Sequence, residues 1–274
     1  MASCLIPEVL IRDAGMIVMQ NVEGRFPWAY FTISFAFTWL ILLPAVLAAS
    51  GSLELPFPNV LLVAIAQFGP SLAAFILVYR SNGKGGLMRL LKRAVDLNIP
   101  FRWLSAIVIL PLVMTGTAMY LHILSGGSLA PPRMLLPGPT GIPLTFIFIF
   151  LLQGPVPEEF GWRGYVLGRL QPKYNALTAS LIVGVMWGIW HLPLFYIGYL
   201  LFPAWAYLIA VLAFSVLFTW LYNNTGGNLL VALLFHTMIN FSIALFPPTE
   251  QQTFLYLAAL YVVAALLVTL IWLD

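Results

Sequence analysis

Charge is what this sequence has least of. Its 274 residues include 12 Lys and Arg and 9 Asp and Glu, 8% in all, against 62% hydrophobic residues. A soluble globular domain carries about a quarter charged residues, so that class is excluded. Cysteine is scarcer still: the single Cys4 rules out an internal disulfide, a thiolate-rich zinc or iron–sulfur site, and dithiol redox chemistry. The chain also lacks a GxSxG elbow and an HExxH pair, the signals of a strained serine nucleophile and of a two-histidine zinc site.

What the sequence does have is apolar runs, with a mean hydropathy of +0.98. Crossing a hydrocarbon core of about 30 Å takes roughly 20 apolar residues. Runs of that kind are bounded by Pro, Gly and polar clusters near Trp28 to Ala49, Asn59 to Tyr79, Trp103 to Leu124 and Ile142 to Leu170. Four more lie near Asn175 to Leu200, Pro203 to Tyr222, Asn228 to Phe246 and Thr253 to Leu273. The expected fold is an all-α polytopic membrane protein, one integral membrane domain over residues 1–274, with the fourth run forming a single long helix. Glu8, Asp13 and Glu23 interrupt the first 27 residues, which read as a cytoplasmic tail or interfacial helix rather than a cleaved leader.

Between Arg80 and Arg102 the chain concentrates Arg80, Lys84, Arg89, Lys92, Arg93 and Arg102 against the lone acid Asp96. The positive-inside rule places this loop in the cytoplasm, and eight spans then put both termini there as well, in the plasma membrane if the source is prokaryotic. GLMRLLKRAVDL reads as an amphipathic interfacial helix with Leu87, Leu90, Leu91 and Val95 on one side. Its partners are membrane lipids; no nucleic-acid partner is expected. The segment from Pro131 to Pro143 reads as an ordered external loop, and His122 as an interface residue without an acidic neighbour in sequence.

Ionisable groups inside spans are functional candidates by default, because each is disfavoured there by roughly 2.5–3.5 kcal/mol even on lenient insertion scales. The fourth run carries Glu158, Glu159 and Arg163 in PVPEEFGWRGY; the fifth carries His191 in VMWGIWHLP; the seventh carries His236 and Asn240 in LFHTMIN. Glu159 and Arg163 stand i,i+4 with the acid first, the favourable order for an ion pair. Glu158 lies about 100° round the helix, free to face another partner. Trp187 shares a helix face with His191, Pro193 loosens the backbone beyond it, and His236 and Asn240, again i,i+4, present two polar groups to one side. Ala179, Ser180, Gly184 and Gly188 would let a neighbouring helix approach closely.

A carboxylate beside a histidine can hold and deprotonate a water, while a second histidine with an amide can donate to a developing oxyanion. At these residues the chain resembles a known family. EEFGWRGY matches the EExxxR motif, WGIWH the aromatic-xxx-His motif and HTMIN the HxxxN motif of the CAAX protease and bacteriocin-processing (CPBP) family, relatives of the Ras-converting CAAX prenyl endopeptidase. The resemblance covers roughly 142–246.

It implies about eight helices around a conical intramembrane catalytic cavity, and a glutamate-type endopeptidase that needs no cofactor and no metal. It further implies that Glu158 activates the water, that His191 helps to position it, that His236 and Asn240 form the oxyanion hole, and that Glu159 and Arg163 support the motif. The implied substrate is a lipidated, CAAX-like or membrane-embedded peptide. The residues themselves leave two alternatives open. Carboxylates and imidazoles also suit a metal-dependent protease, although Arg163 sits badly in a cation site. Intramembrane acids and histidines also mark transporters and non-catalytic scaffolds.

Overall fold

The computed structural model describes residues 26–272; the N-terminal tail and Cys4 lie outside them. The described chain is helical. α1 spans Trp28–Ala49, α2 Val60–Ala66, α3 Gly69–Arg93, α4 Phe101–Leu124, α5 Gly141–Leu152 and α6 Pro155–Gly161; a π-helical segment, Trp162–Leu167, and the short α7, Gly168–Leu170, complete the fourth run. α8 follows at Ala176–Trp190, α9 at Leu192–Tyr196, α10 at Ala204–Asn224, α11 at Leu229–Leu245 and α12 at Gln251–Trp272. Seven helical stretches among the described residues are long and apolar enough to cross a membrane, and α11, at 17 residues, is a shorter eighth.

The fourth run is not the single helix the sequence suggests. It breaks at Gln153 and Gly154, where Gly154 takes a φ of 103°, and then restarts at Pro155. A broken helix inside a membrane persists only where other groups satisfy its freed backbone. The residues of the restart limit that need: Pro155 and Pro157 have no N–H, and the Glu158 N–H donates to the Gly154 carbonyl at 2.8 Å. The second run is broken too, between α2 and α3 at Gln67 and Phe68.

α8 lies along α10, α10 along α12, and α11 against α4, while α6 is wrapped by α3, α5 and α11. Close approach explains much of this. A side chain at Gly184 would press on Leu212 and Ser215 of α10, and the Ser215 hydroxyl reaches the Ser180 carbonyl at 2.7 Å. At Gly161 a Cβ would meet Tyr30 of α1 and lie 2.6 Å from the Pro70 carbonyl oxygen of α3. The exteriors of α1, α4 and α12 carry exposed Leu40, Ile109 and Leu266, as expected of surfaces that meet acyl chains. Trp28, Tyr196 and Trp205, near helix ends, are also well exposed, the placement of interface anchors.

The basic stretch differs from expectation. α3 continues through it after a break at Gly83, and Leu90 is buried while Val95 is exposed, because the helix ends at Arg93 before Val95 can join its face. Arg93 does not face lipid headgroups alone. It bonds the Tyr222 hydroxyl and, at 2.8 Å, the Gly227 carbonyl, tying this loop to the α10–α11 turn. The loop before α5 is ordered by Arg133 N–H to the Ala244 carbonyl and by Leu135 N–H to Thr145. His122 is a correction: it is buried beside that loop with Nε2 3.4 Å from Glu250, an acid too distant in sequence to be seen as its neighbour.

Candidate active site

All six polar residues singled out in the sequence fall in the interior of the bundle or at its edge. Glu159 and Arg163 are fully buried, and Glu158, His191 and His236 nearly so. A buried charge needs a partner. Arg163 Nη1 lies 2.9 and 3.1 Å from the two Glu159 oxygens, and its guanidinium carbon lies 4.5 Å from the Trp187 ring centroid and 3.8 Å from that of Phe218, two rings set edge-to-face to each other. Two aromatic rings thus contact one cation, an arrangement that suits the broad planar guanidinium better than a lysine's compact ammonium.

Glu159 has a second partner that sequence reasoning missed. His236 Nδ1 stands 2.7 Å from Glu159 Oε1. Because Glu159 already accepts from Arg163, the imidazole is the donor, and the neutral ring then carries its lone pair at Nε2. That atom faces the break before α6: a Cβ built on Gly154 would lie 2.8 Å from His236 Nε2 and 3.2 Å from Glu158 Oε1. Glu158 and His236 therefore converge on one small space, open only because residue 154 has no side chain. Glu158 has no ion pair within 4 Å among the described residues; its other oxygen accepts from the Trp187 indole N–H at 2.6 Å.

His191 occupies the junction of α8 and α9, where Pro193 restarts the helix. Its Nδ1 donates to the Trp187 carbonyl at 2.8 Å, so its Nε2 also presents a lone pair. The ring is flanked by Trp190 and Tyr207 at 4.7 and 5.2 Å. Asn240 is less buried than the others. Its amide donates to the Gln153 carbonyl at 2.8 Å, leaving its second N–H available.

Gln67 is the functional residue the sequence reading passed over. From the α2–α3 break its amide bonds the Leu152 carbonyl and its carbonyl accepts the Gly154 N–H at 3.0 Å. Together with Asn240 it holds the backbone of Leu152, Gln153 and Gly154 in place. The signal was available: VLLVAIAQFGP sets one glutamine in an apolar run just before a Gly-Pro. No group of three or more His, Cys, Asp or Glu side chains among the described residues is arranged to hold a metal ion.

Residues 140–242 match the family described as type II CAAX prenyl endopeptidase Rce1-like. That stretch carries the EExxxR, aromatic-xxx-His and HxxxN residues of the site and amounts to well under half of the chain. The chain is 29% identical over 136 residues to CAAX prenyl protease 2 of Methanococcus maripaludis, covering 46% of this chain and 49% of the relative. It is 27% identical over 184 residues to lysostaphin resistance protein A of Staphylococcus haemolyticus, covering 65% and 47%. The Staphylococcus aureus protein of the same name is 28% identical over 182 residues, covering 65% and 41%. The chain thus spans about half or less of the length of the curated relatives it matches. The matched stretch contains every residue of the site except Gln67, and the apolar helices around it make the chain an integral membrane protein.

Proposed function

We propose that the chain is an intramembrane endopeptidase of the glutamate type, cleaving a peptide bond near the C-terminus of a lipidated or membrane-embedded substrate. One observation carries this reading: Glu158 Oε1 and His236 Nε2 face the same gap at Gly154, while Glu159, the adjacent acid, is held by Arg163 and His236. Two neighbouring carboxylates thereby take separate duties, one structural and one reactive.

Glu158 takes a proton from a water in the gap, and the His191 Nε2 lone pair accepts the other hydrogen to orient it. The water oxygen bonds the scissile carbonyl carbon, whose oxygen becomes negative. His236, which takes up a proton from solvent at Nε2 before the attack and keeps it through the cycle as an imidazolium paired with Glu159, and the free N–H of Asn240 donate to that oxygen. As the C–N bond breaks, the proton held by Glu158 passes to the leaving nitrogen.

The test is cleavage of fluorogenic prenylated C-terminal peptides, beside a library of membrane peptides, in detergent or lipid. The wild type should cleave with or without chelator, and Glu158→Gln should fold yet be inert, since an amide cannot take the proton. Cleavage lost to chelator and restored by one defined metal would replace this reading with a metal-dependent one. Flux of a solute into sealed vesicles without any cleavage would replace it with transport.

A further inference from the structure

Trp187 meets four of the site's five ionisable side chains, all but Glu159. Its indole N–H donates to Glu158 Oε2, its carbonyl accepts from His191 Nδ1, its ring lies against Arg163, and the same ring meets His236 edge-on at 5.6 Å. The residue is almost wholly buried. Packing alone would explain a ring here, and any aromatic residue would satisfy the face toward Arg163. It would not explain the direction of the N–H, which donates to Glu158 Oε2 at 2.6 Å.

A carboxylate with one free rotation about its last bond can present either oxygen, or neither, to a reacting water. Holding Oε2 by a fixed donor leaves Oε1 as the oxygen that faces the gap at Gly154 and His236 Nε2. We propose that Trp187 is a positioning residue whose indole N–H orients the Glu158 carboxylate for attack, a role resting on the endopeptidase reading above. Phenylalanine in the same place would pack on Arg163 and leave Glu158 free to turn.

Trp187→Phe tests this by separating ring from N–H. With a hydrogen bond to a charged group worth about 1.5–3 kcal/mol, kcat should fall roughly ten- to a hundredfold while KM stays within about twofold. The melting temperature should fall by no more than the loss of one hydrogen bond and part of a buried ring accounts for, so that the folded variant can be assayed. Should the phenylalanine variant fail to fold, benzothienylalanine placed at residue 187 alone keeps the bicyclic shape and removes only the donor, with tryptophan inserted by the same route as its control.

Infrared difference spectra supply a readout that needs no turnover. Wild type minus Glu158→Gln isolates the Glu158 carboxyl band, and that band should move in Trp187→Phe. An unmoved band, or kcat within twofold of wild type in a folded variant, overturns the proposal. Full cleavage by Glu158→Gln instead overturns the endopeptidase reading, whatever the band does in Trp187→Phe.

Discussion

Glu159 Oε1 is shared: Arg163 Nη1 at 2.9 Å and His236 Nδ1 at 2.7 Å meet on one carboxylate oxygen, joining the fourth run to α11 across 77 residues of sequence. The bond fixes the tautomer of the histidine and neutralises the arginine with the same atom, so stability and reactivity are coupled through it.

Glu159→Gln should therefore fail in two ways. Arg163 would be left as a buried cation without its counter-ion, a loss of about 3–5 kcal/mol visible as a lower midpoint in detergent unfolding. In whatever fraction folds, His236 loses a charged acceptor, and cleavage should drop. Wild-type midpoint and yield would show that the shared carboxylate does not organise the bundle.

Gly154→Ala addresses the gap itself. The backbone there, at φ 103°, is strained for any side chain by about 1–3 kcal/mol, and the added methyl would stand 2.8 Å from His236 Nε2. Cleavage should be abolished although the substitution adds one carbon and no charge. Retained activity would mean that the reaction takes place elsewhere.

Gln67→Leu removes both clamps on the break, leaving the Leu152 carbonyl and the Gly154 N–H without their partners. Each unsatisfied group should lower stability by about 1–3 kcal/mol, less where lipid headgroups or water reach it. Activity should fall further than stability explains, because the loop that shapes the gap is no longer held. Gln67→Glu, which keeps the acceptor for Gly154, should retain more activity than the leucine variant, and equal loss in both would count against the clamp.

Helix positions were legible from composition, since the need for apolar residues to meet acyl chains leaves long uninterrupted runs. The i,i+4 pair of Glu159 and Arg163 was legible for the same local reason: helix periodicity places such residues on one face. What could not be read were relations between distant segments. Glu158 finds Trp187 across 29 residues, Glu159 finds His236 across 77, and Gln67 finds Gly154 across 87. Helix periodicity cannot reach those distances. The break at Gly154 escaped for a subtler reason: Pro155 and Pro157 also suit a first helical turn, and nothing local shows whether the chain before them is a bend or a continuing helix.

The π-helical turn from Trp162 to Leu167 buries all six of its residues. Such a turn is an α-helix with one residue inserted. Deleting a single residue there would close it to ordinary α geometry and swing everything beyond, including Arg169 and the approach to α8, by about 100°. The spacing between the two glutamates of the EExxxR motif and the end of this segment at Leu170 is thus a counted quantity. Natural variation should change letters within Trp162–Leu167 far more readily than it changes their number.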